Sequence, residues 1–147
     1  MTSIFMKIAL EEADAAQARG EVPVGCVVVR QDKVLAKAGN RTLELKDPTA
    51  HAEALAIRLA CEALGSERLI DCDLYVTLEP CTMCAAVISF ARIRRLYYGA
   101  EDEKTGGVDN GVRFFAQASC HHKPEVYGGI SEAAASAQLK AFFKNRR

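Results

Sequence analysis

The chain has 147 residues, half of them hydrophobic, and its 19 basic residues balance 19 acidic ones. This length predicts a single domain over residues 1–147, and the apolar content excludes a mainly disordered chain. A net charge of zero gives no general basic excess for nucleic-acid binding. The longest apolar runs, such as 24–29, are shorter than the roughly 18 residues of a membrane span, and the N-terminus lacks a signal peptide's basic start. We therefore expect a cytoplasmic protein with no membrane partner, whose six cysteines are reduced unless they bind metal or take part in chemistry.

Helical and strand-like segments alternate along the chain. The predicted elements are a helix ending near 19, strands 24–30 and 34–40, a helix from 48 to about 64, a strand over 73–79, a helix over 81–91, strands 96–100 and 125–130, and a helix from 131 onward. Helices are predicted from apolar residues three and four positions apart, and strands from short β-rich runs. The order predicts a parallel crossover and one α/β domain, with a mixed sheet and helices on both faces.

Capping residues support the predicted helix ends. Thr2 and Ser3 are good N-cap residues for the first helix. Pro48 and Thr49 suit the start of the second helix, and Ser131 suits the start of the last one. The polar segment 41–47 contains no predicted element, and the segment 101–117 is undecided.

Three residues form a candidate metal site: His51, Cys81 and Cys84. The cysteines stand one turn apart at a predicted helix start, so both sulfur atoms face one side, and the helix N-terminus favours thiolates. Two thiolates and one imidazole suit zinc and match magnesium or calcium poorly. Three protein ligands leave a position for water, which is typical of catalytic zinc.

Other interpretations of the same residues stay open. A closed structural zinc site would need a fourth ligand, for which the chain offers Cys26, Cys61, Cys72, Cys120, His121 and His122. The pair could also be a redox CxxC, and each residue alone could be an ordinary core residue. The redox alternative leaves His51 and Glu53 without a role.

Glu53 is the candidate proton carrier. Two positions apart in the middle of a helix, His51 and Glu53 would point in nearly opposite directions, so they converge only if His51 lies at the helix start. A carboxylate beside an activated water can take its proton and deliver it elsewhere. A solvated surface glutamate is the alternative.

The motifs resemble a known family. HAE at 51–53 and PCTMC at 80–84 resemble the H-x-E and P-C-x-x-C signature of zinc deaminases, the cytidine-deaminase-like superfamily. Other segments resemble the bacterial tRNA-specific adenosine deaminases: EVPVG at 21–25, GNR at 39–41, DPTAHAE at 47–53, LYVTLEPC at 74–81 and KTG at 104–106. The resemblance covers about residues 4–147 and is weakest over 107–123.

The resemblance implies a three-layer α/β/α sandwich around a mixed five-stranded sheet, in a homodimer whose active sites borrow residues from the neighbouring subunit. It implies that His51, Cys81 and Cys84 bind one zinc ion per chain and that Glu53 shuttles protons. The implied substrate-binding residues are Asn40 at the target nucleoside, Asp102 and Lys104 at the pocket mouth, and Phe142 and Phe143 near an RNA-binding rim. The implied reaction is deamination of adenosine to inosine at the wobble position of a tRNA anticodon stem-loop.

Each implied contact has a simpler alternative. Asn40 follows a glycine at a strand end and could be a turn residue. Of the adjacent Phe142 and Phe143, one could pack in the core. The basic residues are Lys140, Lys144, Arg146 and Arg147 at the C-terminus and Arg92, Arg94 and Arg95 in a second cluster. A helix C-terminus attracts such residues without RNA, and the acidic segment 101–103 opposes a polyanion site.

Two rival functions follow. A deaminase of the same fold that acts on guanine, cytosine or a nucleotide would have an identical metal centre. A zinc-stabilised binding module without activity belongs to a different class, and Glu53 argues against it because a structural zinc site has no use for an adjacent carboxylate.

Overall fold

A computed structural model describes residues 3–146. In this part of the chain the elements are α1 (Ile4–Ala18), β1 (Gly25–Arg30), β2 (Lys33–Gly39), α2 (Thr42–Leu45), α3 (Ala52–Leu64), β3 (Cys72–Leu78), α4 (Thr82–Phe90), β4 (Arg95–Ala100), β5 (Glu125–Tyr127) and α5 (Glu132–Lys144). A short 3-10 helix, Phe114–Ala116, lies between β4 and β5. No helix within residues 3–146 is both long and apolar enough to span a bilayer.

The strands form one mixed sheet in the order β2-β1-β3-β4-β5. Strand β1 is antiparallel to β2 and β3, whereas β3, β4 and β5 are parallel. This arrangement confirms the predicted five-stranded mixed sheet. Because β3 and β4 are parallel, the segments that follow them, which begin at Glu79 and Glu101, leave the sheet at the same edge.

Helices cover both faces of the sheet, because successive side chains of a strand point to opposite sides. Cys26 and Val28 of β1 belong to the core beneath α3 and α4, whereas Val27 and Val29 pack against α1. Helix α5 contacts β4 and α1, so it completes the layer opposite α3 and α4. The three-layer sandwich is therefore confirmed.

Helix α1 matches its prediction. The Ser3 hydroxyl accepts hydrogen bonds from the N–H groups of Phe5 and Met6, and Thr2 lies outside the described residues. Gly25 explains how closely α1 packs on the sheet, because a Cβ atom there would lie 1.9 Å from the Ala9 carbonyl oxygen.

The predicted start of α3 at Pro48 was wrong, because residues 47–51 form turns before the helix begins. The Asp47 carboxylate accepts hydrogen bonds from the Thr49 N–H and hydroxyl, and the Asp47 carbonyl accepts one from the Ala50 N–H. His51 becomes the N-cap, as the convergence of His51 with Glu53 requires.

Helix α2 was not predicted, because it depends on a contact distant in sequence. The buried carboxylate of Glu21 accepts hydrogen bonds from the Leu43 and Glu44 N–H groups and from the Thr42 hydroxyl. These three donors lie in the first turn of the short helix, and no local sequence pattern in 41–47 predicts their partner.

The C-terminal third differs from the prediction in detail. Strand β5 is shorter than the predicted 125–130. Ser131 stands at the N-cap position of α5, but its φ is 57° and its side chain makes no capping hydrogen bond. The undecided segment 101–117 consists of turns and the short 3-10 helix.

Candidate active site

The three predicted metal ligands meet at one edge of the sheet. His51 is the N-cap of α3, Cys81 is the N-cap of α4, and Cys84 lies in the first turn of α4. His51 Nδ1 is 3.6 Å from the Sγ atoms of both Cys81 and Cys84, and all three ligand atoms lie within 4.8 Å of one another. Two helix starts thus bring together residues that are 30 or more positions apart in sequence.

This geometry fits zinc. Zn–S and Zn–N bonds of about 2.3 and 2.0 Å at a tetrahedral angle separate sulfur from nitrogen by about 3.5 Å, close to the distances in this site. Within residues 3–146, no other histidine, cysteine or carboxylate joins the group. The arrangement is therefore that of an open, three-ligand site.

The protonation of the ligands prepares the site for a cation. A hydrogen bond from the Cys84 thiol, assisted by His51, lowers the pKa of Cys81 to about 4. The hydrogen bond with Cys81 raises the pKa of His51, and the interaction with Cys81 together with burial raises the pKa of Cys84. One thiolate thus forms without metal, and metal binding must displace the remaining protons.

Glu53 lies in the first turn of α3 and is 4% exposed. Burial, reinforced by the charge of Cys81, raises its pKa to about 7. The carboxyl group interacts with the Cys84 thiol and is near enough to His51 for the two charges to interact. A carboxyl group with this pKa can both accept and release a proton near neutral pH, as a proton carrier must.

Asn40 connects the end of β2 to the start of α3. Its Oδ1 atom accepts a hydrogen bond of 2.8 Å from the Ala52 N–H, directly after His51. Its Nδ2 group donates to no atom of residues 3–146. The turn interpretation missed this cap, which orients the amide beside the metal ligands and leaves its N–H groups free for another acceptor.

A groove with a volume of about 930 Å³ contains most of the other predicted substrate residues. Asp102, Lys104 and Phe143 line it together with Arg146. The Asp102 carboxylate accepts hydrogen bonds from the Lys104 and Thr105 N–H groups and from the Thr105 hydroxyl, so it shapes the loop. The groove begins where the chain leaves β4, at the same edge of the sheet as Cys81.

The two adjacent phenylalanine side chains differ in their burial. Phe142 is buried, with the Arg146 guanidinium 4.4 Å from its ring centre, and it does not line the groove. Phe143 is 52% exposed and faces the groove. The alternative in which one ring packs in the core is confirmed.

The second basic cluster lies away from the site. Arg94 pairs with Asp73 at 3.0 Å and Arg95 with Glu125 at 3.5 Å. Arg95 begins β4, so the cluster lies at the opposite edge of the sheet from Cys81. Arg94 and Arg95 are therefore paired with carboxylates, and none of the three arginines lines the groove.

Sequence reasoning missed the role of Glu79, which is 2% exposed at the end of β3. Five N–H groups of segment 101–110 donate to its carboxylate. The only local signal is a charged residue between an apolar strand and Pro80.

Comparisons with known proteins agree with this site. Residues 1–100 match the family described as the cytidine and deoxycytidylate deaminase zinc-binding region. The chain belongs to this family of zinc-binding deaminases, and its three ligands account for one zinc ion per chain.

Within the family, the chain is similar to tRNA-specific adenosine deaminases along nearly its whole length. It is 62% identical to that of Agrobacterium fabrum over 143 residues, covering 97% of this chain and 94% of the relative. It is 44% identical to that of Rickettsia bellii over 144 residues, covering 97% and 99%. The resemblance inferred from the motifs is confirmed.

Solved structures of related deaminases share the fold of this chain. A structure from work on A-to-I editing by tRNA:A34 deaminases at the wobble position superposes with a TM-score of 0.91 at 63% identity, covering 92% of this chain and 98% of that one. A guanine deaminase from Bacillus subtilis superposes with a TM-score of 0.65 at 42% identity, covering 66% and 62%.

Proposed function

We propose that this protein is a zinc-dependent hydrolase that converts adenosine to inosine at the wobble position of a tRNA anticodon. The observation that carries the proposal is the position of the buried Glu53 carboxyl group beside three zinc-binding side chains. Likeness to proteins named tRNA-specific adenosine deaminases supports the choice of substrate. Loop bases can be extruded from RNA at low cost, which suits a site that must enclose one base.

Glu53 is the proton carrier of the proposed reaction. His51, Cys81 and Cys84 would hold zinc, which when bound supplies Lewis-acid activation of a water molecule. Glu53 would accept a proton from the attacking water and deliver it to adenine N1, which makes C6 electrophilic. Once the C6–O bond has formed, Glu53 would take the remaining proton from the C6 hydroxyl group and pass it to the amine. The C6–N bond then breaks as the C6 carbonyl forms, so that adenosine and water give inosine and ammonia.

The substrate would be held from two sides. The Asn40 Nδ2 group would donate a hydrogen bond to the target nucleoside, because the Asn40 Oδ1 atom is already committed to Ala52. Lys104 and Phe143 would contact flanking nucleotides, one through phosphate charge and the other through base stacking. Asp102 would hold this wall in shape, and Phe142 would anchor the helix that presents Phe143.

The homodimer and the cytoplasmic location belong to the same proposal. Phe90 of α4 is 75% exposed, which is high for a large apolar side chain, and we infer that a second subunit covers it. A tRNA substrate and six free cysteines fit the cytoplasm. Sedimentation equilibrium should give a dimer mass, and Phe90→Ser should shift it towards the monomer; a monomeric parent would contradict the dimer.

A substrate panel tests the function. The zinc-loaded protein is incubated with an anticodon stem-loop carrying adenosine at the wobble position, and ammonia and inosine are measured. The matched control is the same stem-loop with that adenosine moved one position, and the other arms are free adenosine, guanine and cytidine. Inosine at the wobble position supports the proposal. If the protein deaminates guanine and leaves the stem-loop unchanged, the proposal is refuted and the protein is a guanine deaminase.

Salt dependence tests the RNA-contacting surface. Arg147 lies outside the described residues, and Arg146 donates to the Gly20 carbonyl at 2.9 Å, so reversing its charge would disturb the packing of α5. We therefore combine Lys104→Ala with Lys144→Glu and expect weaker stem-loop binding. The slope of the logarithm of the binding constant against the logarithm of salt concentration should also become less negative, by roughly 0.7 for each phosphate that the variant no longer neutralises. Lys33→Glu, at the far end of the β1–β2 hairpin, is the control, and an unchanged slope in the double variant would place the RNA-binding cations elsewhere.

A further inference from the structure

Segment 101–110 folds around the carboxylate of Glu79. Five N–H groups donate to it at 2.7–3.1 Å: the backbone groups of Asp102, Val108, Asp109 and Asn110 and the side-chain amide of Asn110. Both carboxylate oxygens are used, Oε1 by two donors and Oε2 by three. Because hydrogen bonds to a charged acceptor are stronger than neutral ones, this carboxylate fixes the path of the loop.

The same loop is joined to the metal-binding segment. Gly106 forms a β-bridge with Cys81, and the Gly107 N–H donates to the Pro80 carbonyl at 2.8 Å. A Cβ atom at Gly106 would lie 2.6 Å from Glu79 Oε2, so only glycine lets the loop approach the carboxylate this closely. Glu79 therefore sits between the loop and the start of α4.

The loop also forms one wall of the groove. Asp102, which donates its N–H to Glu79, begins the turn that carries Lys104 and Thr105 along that wall. Asn110 spans Glu79 and Glu101 with its side-chain amide, at 2.7 and 2.9 Å. The carboxylate thus connects the groove wall to the zinc ligand Cys81.

We propose that Glu79 is a positioning residue for deamination: by collecting these five N–H groups it holds the 101–110 wall of the substrate groove in register with Cys81. This inference rests on the proposed function. A carboxylate that only stabilised the fold would affect unfolding and leave substrate binding by the folded enzyme unchanged, so the two roles give different results.

Glu79→Gln is the test, since it keeps the side-chain shape but replaces one acceptor oxygen with a donor. Glu11→Gln, at an exposed position on α1, is the charge-matched control. We measure zinc content, kcat and KM on the wobble stem-loop, and amide hydrogen exchange at 108–110. For Glu79→Gln we expect an unchanged zinc content and a kcat within about threefold of the parent. The exchange rate of the 108–110 amides and the KM should each rise about tenfold.

Several outcomes would overturn the inference. Faster exchange with an unchanged KM and kcat would leave Glu79 a purely structural residue. A fall in kcat with an unchanged KM would show a loss of transition-state stabilisation, and it would also overturn the inference. If Glu79→Gln does not fold, Asn110→Ala removes only the side-chain donor and should raise KM in the same direction by a smaller factor; an unchanged KM there also overturns the inference.

Failure of the proposed function is distinguishable from failure of this inference. A parent that converts guanine and leaves the stem-loop unchanged refutes the tRNA proposal, and the Glu79→Gln comparison is then made with guanine. A parent that converts none of the substrates overturns both proposals.

Discussion

Glu53 and Glu79 are two buried glutamates at the same edge of the sheet, and their surroundings are opposite. Glu79 is 2% exposed, and five N–H groups fix its two oxygens. Glu53 is 4% exposed, and burial raises its pKa to about 7, with the Cys84 thiol as its side-chain neighbour. Five donors occupy both oxygens of the Glu79 carboxylate. The raised pKa of Glu53 lets that carboxyl group gain and lose a proton near neutral pH.

Burial alone therefore does not identify a catalytic carboxylate. A buried carboxylate with many fixed donors organises the backbone, since moving it would leave several N–H groups without an acceptor. One with few fixed donors responds to burial with a raised pKa, which suits acid–base chemistry near neutral pH. The difference lies in the number of donors that the fold aims at each group.

Loss of the metal ligand Cys81 should have the largest effect on zinc binding and on activity. Cys81→Ser should weaken zinc binding by more than about 100-fold and abolish deamination, because the thiolate is lost. Cys61→Ser, outside the metal group, is the control and should keep about one zinc ion per chain. Metal analysis after dialysis checks this, and full zinc retention in Cys81→Ser would remove Cys81 from the site.

Two substitutions of Asn40 distinguish substrate binding from capping of α3, the helix that carries Glu53. Asn40→Asp keeps an acceptor for the Ala52 N–H but loses the Nδ2 donor, so kcat/KM should fall about tenfold or more while the melting temperature holds. Asn40→Ala loses both groups and should also lower the melting temperature. If Asn40→Asp keeps full activity, Asn40 is only a cap.

Stability should distinguish the two glutamates directly. Glu79→Gln should lower the free energy of unfolding by about 1.5–3 kcal/mol, because N–H groups lose a charged acceptor. Glu53→Gln should leave it unchanged or raise it, because a neutral amide is easier to bury than a carboxylate. Urea unfolding of the zinc-loaded proteins checks this, and equal losses would show that both carboxylates are structural.

Glu21 is a third buried glutamate, and it accepts three hydrogen bonds where Glu79 accepts five. Its substitution should have the smallest effect on the free energy of unfolding. Burial raises its pKa, but hydrogen bonds from the Glu44 and Leu43 N–H groups and the Thr42 hydroxyl outweigh burial, so the pKa lies below its ordinary value of 4.5. A depressed pKa contributes stability above pH 4.5 that is lost as the pH falls through the folded-state pKa. Glu21→Gln should flatten this acid loss in urea unfolding, and identical pH profiles would refute the contribution.

Local patterns predicted the parts of the site that depend on helix starts and ligand chemistry. His51, Cys81 and Cys84 follow from spacing, because side chains at i and i+3 share a helix face and thiolate with imidazole suits zinc. The sheet and its layers follow from short apolar runs that alternate with helical periodicity. The proposed role of Glu53 required that His51 lie at the start of its helix, and His51 is indeed the N-cap of α3.

The rest depends on contacts between distant residues. Helix α2 forms because Glu21 reaches across about 20 positions, and segment 101–110 folds because Glu79 lies 23–31 positions before its donors. The early start predicted for α3 shows the same limit, since turns around Asp47 overrode a good local signal at Pro48. No local propensity encodes these hydrogen bonds.

The most direct measurement is the single-turnover rate of inosine formation in the wobble stem-loop at saturating RNA, for the zinc-loaded parent, Glu53→Gln and Glu79→Gln. General acid–base groups typically contribute about 10²–10⁴-fold, so Glu53→Gln should lose that factor while keeping its zinc. Glu79→Gln should stay within about threefold of the parent, because saturating RNA compensates for a distorted groove. A near-parental rate in Glu53→Gln, or an equal loss in both variants, would contradict the assignment of Glu53 as the proton carrier.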